Sequence, residues 1–241
     1  IRVHDSVTHG DADSDPVEVP QSLDMPSDIS SEELQKSFDN MLNKAAHNGM
    51  STAGLAELHK LVREYHDIWR IGLTADPPAR LPPLVIKLQH DAVTVRVKLR
   101  WYTQPQREFL RTFVNELVEN GLSYRNPSAS WCSDPLLVPK NGPSPFTFTV
   151  DLRPVNKQTI PKAWPMPYLE SELSGVSGSK CFSTFDLSNG YWQLKLDEAS
   201  QEFQSFITPD GIYSPTRVLH GTRNAVSHMQ SALQGILGPL A

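Results

Sequence analysis

Cysteine is scarce in this chain of 241 residues, which has only Cys132 and Cys181. The two share no metal-ligand spacing with each other or with the eight histidines, which excludes a disulfide framework and a zinc-finger type of site. No window approaches the roughly 18–20 consecutive apolar residues of a membrane-spanning helix. The N-terminus also lacks the basic and then apolar pattern of a secretory signal. We therefore expect an intracellular protein that does not enter a membrane.

An overall excess of basic residues, which is common in nucleic-acid-binding proteins, is also missing, because the net charge is −5. The charge is unevenly distributed, however. Residues 1–40 hold ten of the 27 acidic residues but only Arg2 and Lys36 among the 22 bases, so this stretch carries −8 and the remainder +3. A mildly basic stretch that follows an acidic N-terminal segment is compatible with a polyanionic partner. The chain begins at Ile1 rather than at Met, which suggests that it is cut from a longer polypeptide.

The chain divides into four segments by composition. Residues 1–29 are rich in Asp, Ser and Pro with little apolar periodicity, so we expect a disordered acidic linker. Residues 30–72 predict a helical spacer hairpin, whose first helix has a capping box at Ser30 and whose second runs from Ser51 or Thr52 to Gly72. Residues 73–90 form a proline-rich connector.

Residues 91–241 mix helices and strands without strict alternation, which indicates an α+β domain. Alternating apolar residues predict strands over 93–99 and 192–196. The pattern also predicts a helix between Thr103 and Gly121, a hairpin that ends at Asp151, and a last helix from Val226.

Three local patterns are candidates for chemistry, and each has a plainer interpretation. Asp186 ends a predicted strand before a tight turn, which suits a Mg²⁺ ligand, although such an Asp can also simply cap the turn. Arg153 follows the hairpin and could contact a phosphate or could pair with Asp151. Gly221 opens a helix and could offer backbone N–H groups to an anion, but a single glycine is weak support.

The order of four motifs along the chain favours the functional interpretation of these residues over the plainer one. The motifs are DLRPVNK at 151–157, WPMP at 164–167, FSTFDLSNGYWQ at 182–193, and Gly221 followed by Asn224-Ala225 and Gln230. In this order they resemble the reverse transcriptases of gypsy-type long-terminal-repeat retrotransposons, over roughly residues 55–241. The resemblance implies that 91–241 form the fingers and N-terminal part of the palm of a right-hand polymerase. The preceding residues then resemble the spacer between protease and polymerase in such polyproteins.

The resemblance also implies a function and a set of site residues. The family copies RNA into DNA by two-metal nucleotidyl transfer. Asp186 matches the first catalytic carboxylate and Leu187 supplies the neighbouring main-chain ligand, with Mg²⁺ as the cofactor. Tyr191 matches the aromatic residue that excludes a 2′-hydroxyl, although it could be an ordinary core Tyr. Nucleotide contacts are also expected at the residues Lys140, Arg153 and Gly221.

The partners implied by the resemblance are an RNA or DNA primer–template, deoxynucleotides and the rest of the polyprotein. The implied location is intracellular: the cytoplasm, the nucleus or virus-like particles. No membrane partner is expected.

The chain departs from the family pattern at several points. Thr147 stands where the family usually has an arginine, and His220 where it has Gln or an aromatic residue. The chain ends at Ala241 without the Tyr-x-Asp-Asp hairpin that carries the second carboxylate pair. We therefore expect that this chain alone does not polymerise.

Two alternatives to an enzyme fragment remain open at this point. One is a decayed or co-opted module that binds nucleic acid or protein without catalysis. The other is a marginally folded piece without a function, because a palm sheet without the missing hairpin exposes an edge and apolar surface.

Overall fold

The computed structural model describes residues 31–65, 68–69, 73–140, 145–165, 168–175, 177–178 and 186–237. The predicted acidic linker at 1–29 and the residues 182–185 of the predicted strand before Asp186 lie outside this range. The chain divides into two compact units, one made of Ile1–Leu73 and Tyr168–Ser188, the other of Thr74–Pro167 and Asn189–Ala241.

Helices and strands alternate irregularly along the described residues. The helices are α1 (Ser31–His47), α2 (Thr52–Glu64), α3 (Gln104–Glu119), α4 (Arg153–Gln158), α5 (Leu169–Gly175), α6 (Glu198–Gln201) and α7 (Ala225–Leu237). The strands are β1 (Ser123–Arg125), β2 (Pro135–Pro139), β3 (Phe146–Val150), β4 (Phe206–Thr208) and β5 (Gly211–Pro215). The α+β prediction is confirmed. Within the described residues, no helix is both long enough and apolar enough to cross a membrane.

The first unit contains the helices α1 and α2, as the apolar spacing predicts. Ser51 caps α2 by accepting the Gly54 N–H at 3.1 Å. The prediction that α2 continues to Gly72 is wrong, because the helix ends at Glu64. The apolar spacing continues past that end because Trp69 packs edge-on against Phe38 of α1, with ring centroids 5.3 Å apart, from a segment that is not part of α2.

The second unit contains two small antiparallel sheets. One has the strand order β1-β5-β4, and the other is the hairpin of β2 and β3, in which Val138 pairs with Thr147. The helix α3 begins after Thr103, whose N–H donates to the Gln106 side chain at 2.9 Å, and Gly121 follows its end with φ +67°. The predicted helix, hairpin and final helix of this unit are thus present.

Two predicted strands are not formed. Residues 93–99 are extended but pair only at Arg96, through one parallel bridge to Cys132, and Val93 is 72% exposed. In the predicted strand over 192–196, residues 192 and 193 belong to a 3₁₀ turn instead, while Lys195 bridges Arg217 antiparallel and Leu196 bridges Leu84 in parallel. In both places the pairing is limited to isolated bridges and does not extend into a regular strand.

The core of the second unit joins distant parts of the sequence. Leu194 and Leu196 pack with Val218 and with Leu84 and Ile86 of the proline-rich segment. The proline-rich segment therefore contributes residues to the core in addition to its predicted role as a connector. A second group of aromatic rings runs from α3 through the hairpin to β4 and β5: Phe109, Phe113, Phe148, Phe206 and Tyr213. Of the candidate site residues, Tyr191 packs against the first of these clusters.

Candidate nucleotide and nucleic-acid site

Asp186 and Leu187 lie at the end of the first unit, and both are exposed. Asn189 follows in the left-handed region with φ +49° and starts the 3₁₀ turn at 190–193. An Asn tolerates this conformation better than most residues, and the turn redirects the chain straight after Asp186. The role of Asp186 and Leu187 as metal ligands stays a prediction.

Tyr191 lies in this turn and belongs to the second unit. Its ring packs against the core cluster on one side and contacts the ring of His220, with centroids 5.5 Å apart. The turn itself is closed by the Leu194 N–H, which donates to the Tyr191 carbonyl at 3.0 Å. The structure therefore brings Tyr191 next to the loop that contains Gly221, although 30 residues separate them in the sequence.

Gly221 lies at the exposed tip of a turn between Leu219 and Asn224. Its φ is +84°, and a Cβ built on it would meet no atom within 4 Å, so space next to this backbone is open. The Thr222 N–H donates to the Leu219 carbonyl at 3.2 Å and closes the turn. A glycine is required here because other L-residues rarely adopt this φ. The open space lets another molecule approach the backbone.

The Gly221 turn is fixed to the buried interior by Gln204, which is fully buried. The Gln204 amide nitrogen donates to the Thr222 hydroxyl at 2.8 Å, and its oxygen accepts the Leu219 N–H at 3.2 Å. The Thr222 hydroxyl in turn donates to the Leu219 carbonyl at 2.6 Å. Each buried polar group in these three bonds has a hydrogen-bond partner. The side of the turn that faces the interior is therefore rigidly held.

Arg153, at the start of α4, pairs with Asp151. Its Nε and Nη2 donate to the two carboxylate oxygens at 2.7 and 2.6 Å. These charge-assisted bonds hold the pKa of the Asp151 carboxyl below its usual value. The Arg153 side chain is 80% exposed. The plainer interpretation of this pair is thus observed, while a nucleotide contact by Arg153 stays a prediction.

Lys140 directly follows β2, and its backbone N–H donates to the Pro145 carbonyl across the hairpin end at 3.1 Å. Thr147, at the position where the family usually has an arginine, lies on β3 opposite Val138. The hairpin therefore presents Lys140 at its tip, next to residues 141–144, which lie outside the described range. The role of Lys140 stays a prediction.

The described residues do not by themselves make a two-cation site. Among them, no group of three or more His, Cys, Asp or Glu side chains is placed to hold a metal ion. Two divalent cations need several carboxylate oxygens.

Two residues that lie inside the quoted motifs, Asn156 of α4 and Asn224 before α7, organise the site in a way that sequence reasoning did not assign to them. Their side-chain amides join the Gly221 turn to residues 156–162. Asn224 has φ +72°, and an Asn just before a helix is an ordinary capping residue by sequence. Only the tertiary structure shows that its amide binds another segment.

Part of the chain matches a known protein family. Residues 138–241 match the family of reverse transcriptases (RNA-dependent DNA polymerases). Over 136 residues, the chain is 35% identical to the retrovirus-related Pol polyprotein from transposon gypsy of Drosophila melanogaster, a match that covers 54% of this chain and 13% of that one. It is 32% identical to the enzymatic polyprotein of figwort mosaic virus, covering 62% of this chain and 23% of the polyprotein. The chain thus spans less than a quarter of either polyprotein.

Solved structures show the same fold. The foamy viral protease–reverse transcriptase in complex with an RNA/DNA hybrid superposes with a TM-score of 0.74 at 20% identity, over 93% of this chain and 29% of that chain. The native prototype foamy virus protease–reverse transcriptase gives a TM-score of 0.71 at 18% identity, over 87% and 27% of the two chains. The predicted fold, the fingers and partial palm of a polymerase, is therefore confirmed.

Proposed function

Because this chain carries a segment of the reverse transcriptase family, of the type found in gypsy retrotransposon polyproteins, we propose that it supplies the fingers and N-terminal palm of an RNA-directed DNA polymerase. The observation that carries this proposal is the contact between Tyr191 and the loop of Gly221. It gathers two of the expected nucleotide-binding residues on one side of the second unit. The segments 1–29, 30–72, 73–90 and 91–241 correspond in this proposal to linker, spacer, connector and polymerase.

The residues act on the nucleotide in distinct ways. The Tyr191 ring lies under the incoming sugar and excludes a 2′-hydroxyl, so the complete polymerase prefers deoxynucleotides. Lys140 and Arg153 neutralise charge on the triphosphate. The backbone at Gly221 lies close to the nucleotide, because no side chain fills the space there.

The divalent cation that reverse transcriptases generally use is Mg²⁺ in this proposal. Asp186 and the Leu187 carbonyl are the oxygen ligands that the described residues offer to it, and hard cations prefer such ligands. Among the described residues, no group of three or more His, Cys, Asp or Glu side chains completes such a site. The chain alone is therefore expected to bind nucleic acid without joining nucleotides.

The partners in this proposal are an RNA or DNA primer–template, deoxynucleotides and the rest of a polyprotein. The solved neighbours include complexes with double-stranded DNA and with an RNA/DNA hybrid, which supports a nucleic-acid partner. We place the activity inside the cell, in the cytoplasm, the nucleus or virus-like particles, and away from membranes.

A calorimetric titration of the folded chain with a primer–template in Mg²⁺ tests the proposal. The titration is run with and without the matched deoxynucleotide, and repeated with Asp186→Asn. We expect weak binding that decreases steeply with salt, because phosphate contacts release counterions, and that is indifferent to the nucleotide and to the substitution. Absence of binding by a folded chain would contradict the proposal. Tight binding that the nucleotide improves and Asp186→Asn abolishes would show a working metal site in these residues.

A second candidate function is a decayed or co-opted module that binds nucleic acid or a protein without catalysis. Thr147 favours it, since a strong phosphate contact of the family is missing there. Restoring the family residue with Thr147→Arg separates the two. A gain in affinity for the matched deoxynucleotide supports the polymerase, and no gain supports the non-catalytic module.

A further inference from the structure

Two asparagine side chains hold the turn at 219–224 on the side away from Gln204. Each asparagine donates one hydrogen bond through its amide nitrogen and accepts one through its amide oxygen. The Asn156 Nδ2 donates to the Gly221 carbonyl at 2.8 Å, and its Oδ1 accepts the Arg223 N–H at 2.9 Å. The Asn224 Nδ2 donates to the Ile160 carbonyl at 2.9 Å, and its Oδ1 accepts the Lys162 N–H at 2.8 Å. We call Asn156 and Asn224 the amide clamp. It makes four hydrogen bonds that join the turn to residues 156–162.

The conformation of Asn224 is unusual for its place in the chain. It directly precedes α7, where an Asn ordinarily adopts an extended conformation and caps the helix with its side chain. Here φ is +72°, and the side-chain oxygen accepts the Lys162 N–H in a different segment. The backbone carbonyl of Asn224 still accepts the His228 N–H at 2.9 Å and so starts the helix. The side chain thus serves the link between segments.

The bonds of the clamp are solvent-accessible, unlike those of Gln204 on the inner side. Exposed neutral hydrogen bonds add little to global stability, because water replaces them readily when they break. Their loss therefore loosens the local turn more than it unfolds the chain. A side chain that orders an exposed turn without supporting the core is typical of a positioning residue at a binding site.

We propose that Asn156 and Asn224 are positioning residues, which hold the backbone of Gly221 and its open face in the conformation that receives nucleic acid. This inference rests on the proposed function, and it names the residues that order the site without contacting phosphate. In the parent chain the turn is preorganised, so binding does not have to order it. Without the clamp, only a fraction of molecules holds the receptive turn, and the apparent affinity falls by that fraction.

The test compares two clamp variants with one matched control. Asn156→Ala removes two clamp bonds and leaves a good helix former in α4. Asn224→Gly removes the other two and keeps the positive φ free of strain. The control is Asn126→Ala. Asn126 has a comparable amide that bonds the Ser214 and Ser128 hydroxyls, away from the turn.

The first readout is the anisotropy of a labelled RNA-template/DNA-primer hairpin, titrated with each chain at several salt concentrations. We expect each clamp variant to raise Kd about tenfold, the result of a turn that is receptive in about one molecule in ten. The slope of log K against log salt stays unchanged, because no cation that meets a phosphate is lost. We expect Asn126→Ala to change Kd by less than about twofold, because Asn126 does not share hydrogen-bond partners with the turn. The second readout is amide hydrogen exchange, which becomes faster at Arg223 in Asn156→Ala and at Lys162 in Asn224→Gly.

Two results would overturn the inference itself, and a third would overturn the proposed function on which it rests. Faster exchange at these amides with an unchanged Kd would show that order in the turn is irrelevant to binding. An equal rise of Kd in Asn126→Ala would show general destabilisation. A folded parent chain that binds no primer–template would overturn the proposed function, and the clamp is then judged by exchange alone: it fails if Arg223 and Lys162 keep their protection in the variants.

Discussion

Asp151 and Arg153 are two residues apart and form a bidentate ion pair where β3 leads into α4. Arg153 lowers the pKa of the Asp151 carboxyl, so the folded state prefers the ionised form. The stability that this pair adds to the folded chain is fully present above the unfolded pKa of Asp, about 3.9. It is lost as the pH falls through the lower pKa that Asp151 has in the folded chain.

Arg153→Gln therefore destabilises the chain at pH 6 and has no effect once the carboxylate is protonated near pH 2. The loss is small, since Arg153 is 80% exposed and water screens the pair. Thermal unfolding at both pH values measures it, with Lys157→Gln as a control that removes an exposed base from the same helix. An equal loss at both pH values would mean that the pairing is not the cause.

Gly221 has a positive φ and open space around it, so backbone conformation alone sets the cost of a side chain there. Gly221→Ala is expected to lower the free energy of unfolding by about 1–2 kcal/mol. Gly235→Ala is the matched control, because Gly235 lies inside α7 with equally open space and gains about 0.5–1 kcal/mol from the better helix former. Urea unfolding of both variants measures the two changes in the free energy of unfolding, which we expect to have opposite signs. A Gly221→Ala chain as stable as the parent would show that the turn has another conformation.

At the scale of elements, Phe206 joins the two sheets of the second unit. It is fully buried on β4, and its ring contacts Phe148 of the hairpin at 5.4 Å and Tyr213 of β5 at 6.0 Å. Phe206→Ala is expected to cost about 3–5 kcal/mol because it leaves a cavity between the sheets. Denaturant unfolding measures the cost. Trp101→Ala, at a site that is 80% exposed, is the control and changes stability by less than about 0.5 kcal/mol.

The elements that the sequence predicts correctly are those whose signals are local. The helix α3 has a cap at Thr103 and a glycine at its end, and the hairpin of β2 and β3 has alternating residues around a proline-rich turn. Residues 93–99 have an equally clear alternation, but a strand needs a partner, and only Arg96 finds one. The extent of regular pairing depends on distant segments and cannot be read from local pattern.

The candidate site shows the same division between local and tertiary information. Tyr191 and Gly221 could be selected by their motifs, since spacing along the chain is local. Their proximity through His220 is a tertiary fact. The amide clamp was not predictable, because Asn156 and Asn224 bind backbone groups of remote residues, and an Asn in a sequence does not show which backbone it will bind.

For these 241 residues taken alone, we predict nucleic-acid binding without nucleotide joining. In the proposed function Asp186 is a single carboxylate ligand, and one carboxylate does not hold two cations. Incubation of the folded chain with primer–template, Mg²⁺ and four deoxynucleotides should leave the primer unextended. Template-directed extension that Asp186→Asn abolishes would contradict this prediction.

Photo-crosslinking tests most directly whether this chain binds nucleic acid at the Tyr191 and Gly221 site, because it reports where nucleic acid lies on the chain. A primer–template with 5-iodouracil at the templating position is irradiated with the folded chain, and the crosslinked peptides are identified by mass spectrometry. If the chain is the fingers and partial palm of a reverse transcriptase, the crosslinked peptides contain Tyr191 or residues 219–224. Crosslinks confined to the helices α1 and α2 would contradict the account, because nucleic acid would then bind away from the polymerase site.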